Sequence, residues 1–276
     1  MLTKAENAAG HVVPDATDKT RIDDRWTRGT GRVSMAIMAD TPHVLFVPGA
    51  WLGGWSWIPV ATRVAAAGYG VTPLTLPGLA PGDDRTGLML EDAIGHVADA
   101  VTKAEGPVVL VAHSGGGTPA AAAAVRLKER VVKVVFVDAY VPLDGVSVDD
   151  EMLEANRDAS RQSADASPDG SVTLPLEAFQ FVMLPGAPPQ AQQILFELFV
   201  PEPSRYLRDP AHDVDLVAAG VPAAYVLAEE DTAGGLPLPG ATFARRAGVE
   251  PVAVPGGHMA LMTHPDEVAA AILAAL

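Results

Sequence analysis

The stretch Val108–Thr118 constrains the fold more than any other part of the chain. Val108, Val109, Leu110 and Val111 are branched aliphatic residues in a short run, the signature of a fully buried strand. Ala112, His113, Ser114, Gly115 and Gly116 follow at once, and from Thr118 to Arg130 the sequence is Ala-rich and helical in character. A serine with small residues two before and two after it, set between a strand and a helix, is the arrangement of a nucleophile elbow. The small residues have a steric reason. The serine occupies a strained turn so tight that larger neighbours would collide. The turn holds the hydroxyl above the sheet edge and leaves the Gly115 N–H at a helix N-terminus, where developing negative charge is favoured. The usual pattern has glycine at the first small position, where this chain has Ala112. A Ser-Gly-Gly turn without chemistry is the plain alternative for so short a motif, so the rest of the chain has to decide.

A length of 276 residues with 49% hydrophobic and 19% charged residues suits one α/β domain with a large core. No apolar run approaches the roughly 18 residues of a membrane span. The absence of cysteine excludes disulfides, thiolate metal sites and cysteine nucleophiles. A formal net charge of −15 disfavours nucleic acid and anionic membrane surfaces as partners and reads as solubility. The N-terminus is polar and lacks the apolar segment of a secretory signal, so a cytoplasmic location is the expectation.

Residues 1–40 carry scattered charges without a sustained period and read as a mobile or loosely docked extension. Residues 41–276 alternate strands and helices. Val44–Val47 is the first strand, followed by a Gly- and Trp-rich loop and a helix ending near Gly68. Val71–Leu76 is the second strand, and Glu91–Lys103 is an amphipathic helix with Ile94, Val97, Ala98 and Val101 on one face. Val131–Val137 is a buried strand ending at Asp138. Val221–Leu227 and Glu250–Val254 complete the sheet, with helices at Thr242–Ala247 and Pro265–Leu276. Between about 142 and 212 the rhythm breaks into charged helical pieces, a polar loop over Ser163–Ser171 and a Pro-rich stretch, which reads as a cap insertion over the sheet. The expected fold is therefore α/β, a mostly parallel sheet with helices on both faces. In such sheets the ligand site lies beyond the carboxyl ends of the strands, where Ala50, Ser114, Asp138, Asp231 and His258 can converge.

A serine nucleophile needs a base. Of the 7 histidines, His258 lies on a Gly-rich loop after the last strand, whereas His113 adjoins Ser114 and is expected beneath the elbow as a packing residue. The base needs an orienting carboxylate. Asp231 reaches furthest into the loop after its strand, Glu229 and Glu230 read as solvated charge, and Asp138 is the competitor because it too ends a strand. Ser114, Asp231 and His258 then follow the chain order Ser, Asp, His. The oxyanion of an acyl-transfer intermediate needs two N–H donors, for which Gly115 and Ala50 are the candidates. Trp51, Phe181, Met183, Phe196 and Met259 are the candidate substrate contacts, although most large apolar residues of the insertion, and Trp55 and Trp57, are expected to serve packing.

These pieces resemble the α/β-hydrolase superfamily, and within it the plant methylesterase and hydroxynitrile lyase group with its bacterial esterase relatives. The resemblance rests on Val47–Trp57, Leu74–Gly78, Ala112–Gly116, the acid following Ala228, and Gly257, His258 and Met259 with Pro265 beyond. It runs from about residue 43 to the C-terminus and is weakest through the insertion. It implies the α/β-hydrolase fold and a Ser-His-Asp triad, and leaves the substrate open. Three positions depart from the group. Pro48 stands where the group often has His; Gly49 and Met259 stand where hydroxynitrile lyases carry a Thr and a Lys that serve cyanohydrin chemistry. The last two departures favour hydrolysis, and Ser114 argues against the Asp-nucleophile dehalogenases and epoxide hydrolases.

The expectation is a serine hydrolase, carboxylesterase-like, acting on an ester, lactone, carbamate or amide of a small to medium hydrophobic or aromatic substrate. No metal and no cofactor is expected, nor a nucleic-acid or membrane partner, and a homodimer is left open. A carbon–carbon lyase or cofactor-free oxygenase on the same fold, and a non-catalytic small-molecule receptor, are the alternatives.

Overall fold

The computed structural model describes residues 41–232 and 236–276, so the extension read over residues 1–40 lies outside them. Six strands form one parallel sheet: β1 (His43–Val47), β2 (Val71–Pro73), β3 (Val108–His113), β4 (Val131–Val137), β7 (Ala223–Ala228) and β8 (Val252–Val254), in the order β2-β1-β3-β4-β7-β8. The strands are Val-rich because they are covered on both faces, as parallel sheets require. Residues alternate between two cores. Val44, Phe46, Val109, Val111, Val135 and Val137 pack on one face, and Leu45, Val47, Leu110, Ala112, Val134 and Phe136 on the other. The second strand is shorter than Val71–Leu76 because it lies at the sheet edge and meets Pro73.

Helices α1 (Ile58–Ala66) and α7 (Pro265–Ala275) cover the first face. Helices α2 (Leu90–Lys103), α3 (Gly117–Arg126) and α6 (Gly240–Arg246) cover the second. Helix α2 starts where the Asp92 carboxylate accepts the Met89 N–H at 2.8 Å, satisfying a donor that the helix itself leaves free. It buries Leu90, Ala93, Ile94, Val97 and Val101, one stripe at helical spacing. Helix α3 is different: Ala120–Ala124 are all fully buried, so only small side chains let it lie between sheet and α2.

The register brings the strand ends to one edge. Val47 pairs with Ala112, His113 with Val137, Val137 with Val226, and Ala228 with Val254. The loops after β1, β3, β4, β7 and β8 therefore emerge side by side.

Between β4 and β7 the chain leaves the sheet. It forms a turn of helix at Val148–Glu151, α4 (Glu154–Ala166), β5 (Ser171–Val172), a short helix and π-helical turn over Leu176–Ala178 and Phe179–Met183, α5 (Pro189–Phe196), β6 (Glu202–Pro203) and a turn at Arg205–Arg208. The polar stretch after Ser163 is helical as far as Ala166, not a loop throughout. Strands β5 and β6 pair antiparallel, Val172 opposite Glu202. Two residues each are too few to leave a periodic trace in sequence.

Helix α3 passes so close to the loop after β4 that a Cβ on Gly117 would lie 1.8 Å from the Tyr140 carbonyl oxygen. Gly117→Ala should cost about 3 kcal/mol or more, lowering Tm by roughly 6–12 °C. Gly95→Ala in α2, where an added Cβ meets nothing within 4 Å, should be neutral or stabilising by up to about 1 kcal/mol. Thermal melts of the two variants check both; equal melting temperatures would contradict the close approach.

Candidate active site

Ser114 follows β3 directly and sits at φ +49°, left-handed and unusual for a residue with a side chain. Its carbonyl accepts the Tyr140 N–H at 3.0 Å. Trp51 (φ +63°), after β1, and Asp138 (φ +46°), after β4, are also left-handed. Three such turns around one chamber are strain concentrated at a site.

His258 lies four residues beyond β8 and is 2% exposed. Its Nδ1–H donates to Asp231 Oδ1 at 2.8 Å, and its Nε2 is 2.9 Å from the Ser114 hydroxyl. With the Nδ1 proton committed to a carboxylate, Nε2 carries the lone pair and accepts the Ser114 O–H. Asp231 is aimed by a paired loop: the Glu229 N–H donates to the Val254 carbonyl and the Glu230 N–H to the Gly256 carbonyl, each at 2.9 Å. Glu229 and Glu230 themselves are exposed.

Burial pulls the His258 pKa down, but the charge and hydrogen bond of Asp231 outweigh it, and the net direction is upward. His113 has no such partner. It is fully buried, its pKa falls to about 3 through burial first and His258 second, and its neutral ring donates Nε2–H to the His258 carbonyl at 2.8 Å. The residue read as packing therefore also tethers the His258 loop. Asp138 makes no hydrogen bond to His258 in the structure; its Oδ1 accepts the Ala228 N–H at 2.7 Å. Burial, then the Asp231 charge, pushes its pKa up to about 8.

The Ala50 and Gly115 amides flank the serine. A Cβ built on Gly115 would lie 3.5 Å from the Ala50 nitrogen, and both residues line a chamber of about 70 Å³ with Ser114 and His258. Neither amide donates a hydrogen bond among the described residues. Two free N–H groups beside a hydroxyl–imidazole–carboxylate chain can stabilise an oxyanion formed on a carbonyl. Among the described residues no group of three or more His, Asp or Glu is arranged to hold a metal ion, and no helix is long and apolar enough to cross a membrane.

The chamber adjoins a second cavity of about 340 Å³ under the insertion, the two sharing Trp51, Met152, Leu207 and Leu236. Of the candidate substrate contacts, Trp51 and Met183 line this cavity. The other three do not. Phe181 is 76% exposed, because the turn over 179–183 turns Phe179 and Met183 inward and Phe181 outward. Phe196 packs its ring 5.4 Å from that of Phe179 and lines neither cavity. Met259 is 2% exposed within the core, since the chain turns into the helix at Ala260–Thr263 immediately after His258. Glu202, which no sequence motif marks, accepts the Trp51 N–H at 2.7 Å.

Fold and site together define an α/β-hydrolase architecture. The sequence profile of the alpha/beta hydrolase family matches residues 44–271, and the chain belongs to that family. It is 33% identical to methyl jasmonate esterase 1 of Vitis vinifera over 36% of this chain, but spans only 40% of that protein's length. It is 32% identical to a carbendazim hydrolyzing esterase of Nocardioides sp. over 38% of the chain and 45% of that protein. With the probable esterase PIR7A of Oryza sativa the identity is 26% over 82% of this chain and 93% of the relative. An extracellular alpha/beta-hydrolase from a Paenibacillus species, described as homologous to tobacco salicylic acid binding protein 2, superposes with a TM-score of 0.78 at 24% identity, covering 85% of this chain and 98% of that one. Polyneuridine aldehyde esterase superposes at 0.66 with 20% identity, covering 86% and 99%.

The ionisation pattern is testable. The His258 imidazole should titrate above the 6.5 of a free histidine, and Asp231→Asn should move its midpoint down; imidazole 15N resonances followed against pH check this, and an unmoved midpoint would break the pairing. A carboxyl whose folded pKa is raised favours the folded state while protonated. The Asp138 contribution is therefore full below 3.8 and is lost as pH rises towards about 8. Asp138→Asn should flatten the fall of stability across that window, read from melts at stepped pH.

Proposed function

We propose that the chain is a serine hydrolase that cleaves a carboxylic ester or related acyl bond through an acyl-enzyme. The observation that carries this reading is the continuous chain from the Ser114 hydroxyl to His258 Nε2 at 2.9 Å and from His258 Nδ1 to Asp231 at 2.8 Å. Ser114 Oγ attacks the acyl carbonyl carbon while His258 takes its proton. The carbonyl oxygen becomes an oxyanion held by the N–H groups of Ala50 and Gly115. Asp231 stays ionised and stabilises the imidazolium. His258 then protonates the leaving oxygen or nitrogen, the bond to it breaks, and the acyl group remains on Ser114. Water enters, loses a proton to His258 and attacks the ester carbon. The acid leaves as the proton returns to Ser114. A protonated His258 cannot act as base, so activity should fall as pH drops through its raised pKa.

The cavity under the insertion supports a small to medium, uncharged, hydrophobic or aromatic substrate. No charged side chain is among the described residues that line it, and a space of this size suits a ligand of one or two rings. The similarity to proteins named as esterases supports hydrolysis. So does the absence of polar side chains at Gly49 and Met259, the second of them turned into the core.

A fluorophosphonate probe should label the protein, and Ser114→Ala should not be labelled. The same variant should lose about 10⁴-fold or more of kcat, and Asp231→Asn up to about 10⁴, with Asp138→Asn affected far less. Steady-state kinetics on a graded series of aryl, alkyl and charged esters, lactones and carbamates tests the substrate class. Near-normal turnover by Ser114→Ala would overturn the mechanism; a preference for short charged acyl groups would overturn the substrate.

A further inference from the structure

Trp51 is the residue that follows the Ala50 oxyanion candidate, and it holds a left-handed conformation at φ +63°. A large side chain in that region costs about 1 kcal/mol or more and persists only where the surroundings impose it. Here the surroundings are the insertion. The Trp51 N–H donates to Glu202 Oε2 at 2.7 Å, its indole Nε1–H donates to the Val172 carbonyl at 2.8 Å, and its own carbonyl accepts the Val200 N–H at 3.2 Å. Val172 and Glu202 are opposite partners in the β5–β6 pair. One rung of a two-residue ladder thus grips Trp51 by its backbone and by its ring.

Glu202 is 3% exposed. Among the described residues no Lys or Arg pairs with it within 4.0 Å; Arg85, 3.7 Å from Asp169, acts on it only through charge at longer range, and burial outweighs that. Burying a carboxyl without such a partner is expensive, so its retention calls for a reason. Its location supplies one. The peptide unit whose N–H it binds joins Ala50 to Trp51, so the carboxyl sets the plane immediately after the Ala50 residue. Glu202, Ala50, Gly115 and Gly116 also border one void of about 10 Å³, which leaves little room for the loop to shift.

We propose that Glu202 is a positioning residue of the oxyanion hole, holding the Ala50–Trp51 peptide so that the Ala50 N–H stays aimed at the reacting oxygen. The cap thereby does two things: it walls the substrate cavity and it braces the catalytic loop. Burial pushes the Glu202 pKa up to about 8, so near neutral pH the group is mostly a neutral acid, an acceptor that adds no negative charge beside a developing oxyanion. A glutamine has the same length and a carbonyl oxygen at the same reach.

The inference rests on the serine-hydrolase reading, and the test separates the two. Wild type, Glu202→Leu, Glu202→Gln and Glu202→Asp are compared by fluorophosphonate labelling, thermal melting, and kcat and KM on one activated aryl ester. Glu202→Leu should lose about 10²-fold in kcat, the effect of a displacement near 1 Å, with KM little changed. Glu202→Gln should recover most of that loss. Glu202→Asp, one methylene short of the Trp51 N–H, should lose kcat as the leucine variant does, and it carries the test if Glu202→Leu fails to fold. A folded Glu202→Leu with wild-type kcat, a loss confined to KM, or a glutamine variant as poor as the leucine one overturns the role of Glu202 alone. A wild-type protein that neither labels nor turns over the ester overturns the hydrolase reading and this inference with it.

Discussion

The turn from β3 into α3 is the constraint on which the rest depends. A Cβ at Gly116 would lie 2.2 Å from the Pro48 carbonyl oxygen, and one at Gly117 would lie 1.8 Å from that of Tyr140. The helix can start where it does only because those two positions have no side chain. That start forces Ser114 into its left-handed turn, with its hydroxyl at the sheet edge. It also packs the serine between the loops after β1 and β4. The same contacts that strain the serine bring the Ala50 amide beside it, so strain and preorganisation have one source.

Electrostatics then sorts four buried titratable groups by what each touches. His258 and His113 are neighbours, with ring centroids 4.8 Å apart. Burial lowers both, but only His258 faces a carboxylate, so one rises above the free value and the other falls far below it. Asp231 and Asp138 form the matching pair. Asp231 holds the His258 Nδ1–H, whereas Asp138 has a backbone N–H and no cation in hydrogen-bond contact, so the fold keeps it a neutral acid well above the usual carboxylate range. His258 is thereby left as the basic imidazole of the two, with the Asp231 carboxylate on its Nδ1–H.

The insertion shapes the larger cavity beside the site. Its apolar residues divide into those that pack it, such as Phe179 and Phe196, and those that face the cavity, such as Met183. Trp51 belongs both to the loop after β1, beside Ser114, and to the wall of the larger cavity. In the proposed hydrolase, a substrate filling the cavity would press on the residue next to the Ala50 amide, linking recognition and chemistry through one side chain.

The sequence by itself determined the architecture, and it marked Ser114, Asp231 and His258, which the structure brings into one hydrogen-bonded chain. Short Val-rich runs separated by helical periods specify a two-faced parallel sheet, and strand-end loops carrying Ser114, Asp231 and His258 specify where they meet. Such signals are local: they depend on periodicity, on small residues at a tight turn, and on which residue follows a strand. Only the tertiary structure shows which of Asp231 and Asp138 reaches His258, because both end strands and only the pairing of the 229–230 backbone with the β8 loop turns Asp231 to it. Only it separated the inward Met183 from the outward Phe181, since a π-helical turn changes which residues share a face. Met259 and Glu202 were illegible for the same reason. Burial in the core and a hydrogen bond across 151 residues of chain arise from packing between distant segments, and no local pattern records them.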